Sequence, residues 1–305
     1  MLKGNVLIQN IIVPGFKKPR IRIWFISLVT MILFIGLQCF FPELRLFSFG
    51  TGLLNPSMIL ALFFLALFCE YIDSSLGMGY GTTLTPLLLL LGFAPLQIVP
   101  CVLLSELLTG FTATLLHHRD GNVDIVKDKT ARSTAMLLCV LSTAGALFAV
   151  SFAIRISKVY LSTTISIIIL VCGVMTLLTA SRQLKYRKSH IMLLGAIAAF
   201  NKGLSGGGYG PLVTSGQVVS GLPPKKAVAL TSLAESFTCF VGLSFYLAAK
   251  ESIFWPLALP LTIGALFSVP VSTLTVKHLS ESILKKFVGI VTCLLGVFSM
   301  IKLFI

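Results

Sequence analysis

Gly77-Met-Gly-Tyr-Gly81 and Gly206-Gly-Gly-Tyr-Gly210 stand 129 residues apart, and each interrupts an apolar stretch of a chain that is 56% hydrophobic and only 11% charged. A soluble domain carries about 25% charged residues, and a mean hydropathy of +0.98 leaves more apolar surface than one globular core can bury, so the bilayer is the solvent for most of it. The two glycine clusters are therefore breaks in membrane-embedded helix. Irregular backbone at that depth persists only where it is buried in protein or lines a polar cavity.

Apolar runs lie at 23–41, 57–76, 82–92, 98–116, 134–154, 160–180, 190–205, 211–221, 227–249, 254–276 and 284–304. Most can cross a hydrocarbon core of about 30 Å. The runs 82–92 and 211–221 cannot. Each reaches roughly 16 Å as helix and follows directly on a glycine cluster, so each reads as a half-helix in a broken hairpin. The first 22 residues hold Lys17, Lys18, Arg20 and Arg22, and no small-residue cleavage site follows. That pattern predicts a retained signal-anchor helix.

The chain resembles itself. A shift of 129 aligns the two clusters without a gap and pairs Thr85 with Thr214, Pro95 with Pro224, Glu106 with Glu235 and Thr109 with Thr238, among 12 identities in the 35 positions 77–111. Farther on, a shift of 123 pairs Ser157 with Ser280, Leu161 with Leu284 and Gly173 with Gly296. The difference falls in the 117–133 loop. With the N-terminus inside, 18 Lys and Arg fall on the inner side against Arg45, Arg155, Lys158 and Lys250 outside, which satisfies the positive-inside rule. The first copy then starts outside and the second inside.

The expected fold is an all-α polytopic bundle of two inverted repeats, each with a broken-helix hairpin, plus an N-terminal transmembrane helix. Its parts are a cytoplasmic N-terminus and anchor (1–56), a first repeat (57–180), a basic cytoplasmic linker (181–189) and a second repeat (190–305). The N-terminus lies in the cytoplasm, the C-terminus lies outside, and the membrane is the plasma (inner) membrane. Inverted repeats with paired broken helices are the architecture of many secondary transporters, with the site at the repeat interface.

Glycine at the breaks permits positive φ and close approach of a ligand to the chain. The half-helices begin at Thr82 and Pro211 and aim their free N–H groups and positive dipole ends at the breaks, an arrangement that binds anions. The candidate substrate site is Gly77, Gly79, Tyr80, Gly81, Thr82 and Thr83 from the first copy with Ser205, Gly206, Gly207, Gly208, Tyr209 and Gly210 from the second. Thr85 and Thr214 add hydroxyls. Close helix packing through small residues is the competing reading.

These residues carry a likeness. The chain resembles the sulfite exporter TauE/SafE family of anion permeases over about 57–304. Members have, in each half, a helix ending in a glycine-rich loop, a Pro-containing apolar stretch, a G-x-P/A-P turn and a helix with A-V-x-x-(T)S. Here the second half reads Gly221-Leu-Pro-Pro224 and Ala227-Val-Ala-Leu-Thr-Ser232, and the first reads Pro86, Gly92-Phe-Ala-Pro95 and Val102-Leu-Leu-Ser105. The resemblance implies transport of sulfite, a sulfonate or a related small anion. Glu106 and Glu235 depart from the commoner pattern, which has small or apolar residues there.

Charge inside a membrane needs a partner or a purpose. Glu106 and Glu235 are candidates for proton coupling or for structural hydrogen bonding to a neighbouring helix, and Asp73 is a third coupling candidate. Asp73 and Lys202 are equivalent under the 129 shift and are expected to pair, or else Lys202 faces the cavity and attracts the anion. Glu70 is a cavity-wall residue or a helix-end charge. His117 and His118 are expected at the interface, since adjacent helical residues do not share a face. The seven cysteines lie in apolar runs without CxxC spacing and read as small packing residues.

The net charge of +14 is spread through inter-helix loops, which argues against nucleic acid. No nucleophile–base set, zinc motif or nucleotide loop occurs, so no enzyme activity, cofactor or metal is expected. The partners are a small anionic substrate and the lipid bilayer, and the oligomeric state stays open. A cation transporter using Glu106 and Glu235, and an assembly subunit without transport, are the alternatives.

Overall fold

The computed structural model describes residues 54–155, 158–179, 188–205, 222–249 and 252–276, with single positions such as Tyr209, Gly210, Val213, Thr214 and Gln217 between them and several in 286–301. The expected anchor helix, the breaks at Gly206, Gly207 and Gly208, the start of the second half-helix at Pro211 and most of the linker lie outside the described residues.

All described elements are helices: α1 (Pro56–Leu76), α2 (Tyr80–Leu90), α3 (Pro95–Arg119), α4 (Lys129–Arg155), α5 (Lys158–Thr179), α6 (Lys188–Ser205), α7 (Pro224–Ala248) and α8 (Trp255–Thr275). Five of them are long and apolar enough to cross a membrane. The protein is an all-α, multi-pass membrane protein.

Local chemistry sets the boundaries. Proline opens α1, α3, α7 and α8, where its missing N–H costs nothing and its fixed φ suits the first turn. Gln97 accepts the Ala94 N–H at 3.1 Å, so α3 starts three residues before the apolar run that marks it in the sequence. At the other end of α1, Gly77 adopts φ 66° and returns its N–H to the Asp73 carbonyl at 2.5 Å, and Gly79 adopts φ 136°. Only glycine holds the second of these conformations without strain, so the chain turns at Gly77-Met78-Gly79 and re-enters helix at Tyr80. The short helix thus begins two residues earlier than expected, and its 11 residues span roughly 16 Å.

Tertiary packing pairs α1 with α8, α4 with α6, and α3 with α7, while α7 also lies on α4 and α8 on α3. Small residues make the approaches close. Gly264 sits on the backbone of Phe63, Gly145 on that of Ala196, and Gly110 on that of Ser232. Gly173 lies against the backbone of Cys293 and Gly296 against that of Leu170, two contacts that exchange under the 123-residue shift. Several phenylalanines point outward, with Phe148 71% exposed and Phe64, Phe111 and Phe240 more than half exposed, as a lipid-facing surface requires. Polar residues are inside. That inversion relative to a soluble protein is the bilayer acting as solvent.

Among the described residues, one ion pair lies clear of the spanning segments. Lys226 Nζ, at the start of α7, donates to Asp128 Oδ2 at 2.6 Å just before α4. The hydrogen bond from Lys226, with help from the Ala131 and Thr130 amides, lowers the Asp128 carboxyl below its ordinary value. A carboxylate depressed in the folded state contributes stability above the ordinary carboxylate range and loses it as pH falls through the depressed value. Asp128→Asn should therefore flatten the acid limb of thermal stability in detergent below about pH 4 and leave the neutral plateau little changed, because a partly exposed pair is worth little. An acid limb identical to that of the unsubstituted protein would contradict this.

Candidate functional site

The break after α1 places the first two amides of α2 in the interior, and both are taken by carboxylates. Tyr80 N–H donates to Asp73 Oδ1 at 3.4 Å and Gly81 N–H to Glu106 Oε1 at 3.2 Å. A helix N-terminus offers unpaired N–H groups and a positive dipole end, and here the protein's own acids occupy them.

The second oxygen of Glu106 meets Lys202 Nζ, and the same ammonium donates to Glu235 Oε1 at 2.7 Å. All three residues are buried. Cys239 Sγ adds a 3.8 Å contact to Glu106 Oε2. Asp73, Glu106 and Glu235 each bring one carboxylate oxygen within 4.8 Å of the other two. Such a triad has the donor chemistry of a cation site, and Lys202 is the cation it already holds. α1, α3, α6 and α7 each contribute one charged side chain to this centre.

The sequence pairs Asp73 with Lys202. In the structure Lys202 is instead engaged by both glutamates, and Asp73 turns to the amide of Tyr80. The reason is local: Asp73 lies one turn before the break, where the free amide of its own hairpin is nearer than any partner across the interface. His117 also departs from expectation. It is fully buried, with Nδ1 3.0 Å from the Asn122 side-chain amide, whereas His118 is exposed and reaches the Val123 carbonyl at 3.2 Å. Neighbours on a helix face opposite ways, so one of the two turns inward. Glu70 is interior and not at a helix end, and Ser74 Oγ donates to its Oε1 at 2.5 Å.

The second copy meets the first at this point. Gly210 lies against the Gly77 carbonyl and the Met78 backbone, so close that no side chain fits there. Thr214 Oγ1 donates to the Gly77 carbonyl at 2.7 Å and sits 2.8 Å from the Thr231 hydroxyl, which accepts from Gln217 Nε2. The two tyrosines are tethered in parallel fashion. Tyr80 Oη is 2.7 Å from Ser105 Oγ and reaches the Leu261 carbonyl on α8, while Tyr209 Oη is 2.7 Å from Ser142 Oγ on α4. Thr82 and Thr83 are buried in the first turn of α2. Ser142 and Gln217 escaped the sequence reading, and Ser105 and Thr231 figured in it only within the family's motif. Gln217 carried a signal, being the one amide side chain in the apolar run 211–221.

Removing one partner of a buried ion pair costs about 3–5 kcal/mol because a bare charge is left behind. Lys202→Met strands two carboxylates and should lower stability by about that amount. Glu106→Gln and Glu235→Gln each leave the ammonium one partner and should cost clearly less. Thermal midpoints in detergent check the order, and equal losses for all three would contradict the shared-ammonium geometry.

The family model described as sulfite exporter TauE/SafE matches residues 62–299. The chain is 29% identical over 239 residues to a protein of Bacillus subtilis (strain 168) named "Probable membrane transporter protein YtnM", covering 74% of this chain and 77% of that one. No solved structure matches it. On this match over most of its length, the chain belongs to the sulfite exporter TauE/SafE family of membrane transport proteins.

Proposed function

We propose that the protein is a secondary transporter for a small anion such as sulfite or an organosulfonate, coupled to protons and built as two inverted repeats. The observation that carries this reading is the occupancy of the α2 amides. Tyr80 N–H and Gly81 N–H, together with the Lys202 ammonium, form a set of donors that binds negative charge, and carboxylates of the chain hold it. Protonation of Glu106 weakens its hold on Lys202 and on the Gly81 amide, and protonation of Glu235 weakens its hold on Lys202. A substrate anion then takes the vacated donors, so proton and anion enter together. Gly77 and Gly79 let the anion approach the backbone, Thr82 and Thr83 offer hydroxyls from the first turn, and Tyr209 and Gly210 face the same centre from the second copy.

Support for a two-fold relation between the repeats comes from the packing, and the charge bias of the loops supports their inversion. The pairs α1–α8 and α4–α6 exchange under the repeat, α3–α7 maps onto itself, and the contacts at Gly173 and Gly296 do likewise. The basic loops then lie in the cytoplasm, by the positive-inside rule. The cation-transport alternative loses ground because Lys202 fills the place between Glu106 and Glu235 that a cation would take.

Purified protein in liposomes tests the proposal. Sulfite or a sulfonate should accumulate inside the liposomes when the outer compartment is made more acidic, and the absence of any anion flux would refute it. Glu106→Gln should abolish the accumulation driven by a pH gradient, since an amide carries no exchangeable acid proton. If instead this variant accumulates substrate as the unsubstituted protein does, the coupling role of Glu106 is wrong.

A further inference from the structure

Glu70, Ser74 and His117 are buried polar residues that the anion site does not use. All three are almost inaccessible to solvent. Ser74 Oγ donates to Glu70 Oε1 at 2.5 Å, and the other oxygen, Oε2, has no hydrogen-bond partner among the described residues. Glu70 lies within electrostatic reach of Asp73, Glu106 and Glu235. On the other side of Ser74, its backbone carbonyl abuts the His117 ring. The Asn122 amide holds His117 at Nδ1, which makes Nδ1 the acceptor and puts the proton of the neutral ring on Nε2. Nε2 is buried, and among the described residues no hydrogen bond reaches it. Asn122 belongs to the loop that follows α3, so the three residues form a polar thread from that loop to the charged centre.

The thread exists in one copy only. Under the 129-residue shift, Glu70, Ser74 and His117 fall on Ala199, Gly203 and Tyr246, and Ala199 and Tyr246 are fully buried. The second copy keeps the glutamate and the tyrosine of the site but has neither acid nor imidazole along the corresponding line.

We propose that His117, Ser74 and Glu70 are the proton-access route between the 117–128 loop side and the glutamates that bind Lys202, and that this route opens to that side alone. The proposal rests on the proton-coupled reading above and adds to it the side of proton entry and the residues that conduct. A proton taken up at Nδ1, in place of the Asn122 hydrogen bond, releases the one on Nε2 to the Ser74 hydroxyl, which passes its own proton to Glu70 Oε1; Glu70 then hands a proton to Glu106 or Glu235. Only protons move, and reorientation of the imidazole and of the Ser74 hydroxyl resets the relay.

The charged surroundings of these groups are few. Around Glu70 stand Cys69 and Asp73 on α1, Tyr80 on α2, Glu106 on α3, Lys202 on α6 and Glu235 on α7, while α8, packed along α1, has no titratable residue. Near His117 are Asp120, His118 and Arg119 of its own segment. Of the helices packed on α3, α7 brings Lys225, Lys226 and Glu235 and α6 brings Lys202.

Sulfite flux in right-side-out and inside-out membrane vesicles, with pH varied on one side at a time, tests the route. In the unsubstituted protein, flux should respond to pH on the side of the 117–128 loop. Glu70→Gln and His117→Gln should each reduce that response at least roughly tenfold and preserve the response to pH on the opposite side, and Glu70→Asp should restore it. A merely structural role would not split the two sides. Should His117→Gln fail to reach the membrane, Ser74→Ala breaks the 2.5 Å link while leaving both titratable groups, and it should show the same one-sided loss. Variants that respond as the unsubstituted protein does would overturn the route alone. An unsubstituted protein that carries sulfite without any pH response would overturn the coupling reading and this proposal with it.

Discussion

An ammonium group shared by two carboxylates inside a lipid-facing bundle is the constraint on which the rest of this molecule depends. Lys202 cannot be left bare at membrane depth, where an isolated charge costs several kcal/mol. Neither can Glu106 or Glu235. The contact among the three therefore fixes the distance between α3, α6 and α7, helices drawn from both copies of the duplicated sequence. Close approach of those helices in turn requires small residues at the crossings, which Gly110 and Gly145 supply. The charge cluster specifies the interface, and the glycines make it sterically possible.

The helix break follows from the same constraint. Glu106 has two oxygens, and one ammonium satisfies only one of them. The other needs a donor, and a continuous helix in place of Gly77-Met78-Gly79 would have consumed every nearby amide in its own ladder. Interrupting it frees Tyr80 N–H and Gly81 N–H, and the acids take both. Tyr80 is then pinned at its other end by Ser105 and the Leu261 carbonyl, so the first turn of α2 is held by backbone and side chain alike. Backbone irregularity and buried charge, each costly alone, satisfy one another here.

Much of this is written in the chain. The eight described helices follow the apolar runs to within a few residues, because a bilayer demands about 20 apolar residues per crossing and leaves little freedom in where a helix begins. The duplication was readable because glycine, proline, tyrosine and glutamate seldom coincide by chance in apolar sequence. The partner of Lys202 was not readable. Spacing places Asp73 and Lys202 at equivalent positions, but which side chains meet depends on how far each helix is rotated and displaced, and the free amides created by the break compete for Asp73. The inward turn of His117 was hidden for a similar reason. Two adjacent histidines at a helix end look alike in sequence, and only the neighbouring Ser74 and Asn122 decide which one is interior.

The duplication is more nearly symmetric in backbone than in charge, and the difference bears on energetics. Glu106 and Glu235 are matched, yet the position that holds Lys202 in one copy holds Asp73 in the other. Two lysines with two glutamates would balance at the centre and would form two closed ion pairs with nothing left to exchange. Replacing one lysine by aspartate leaves three carboxylates around one ammonium. Fully ionised, such a centre carries excess negative charge that a membrane interior does not tolerate, so it is stable only with protons or donors supplied from elsewhere. The α2 amides supply part of that need. The remainder is the need that the proposed coupling protons meet, and a symmetric version of the same fold would not have it.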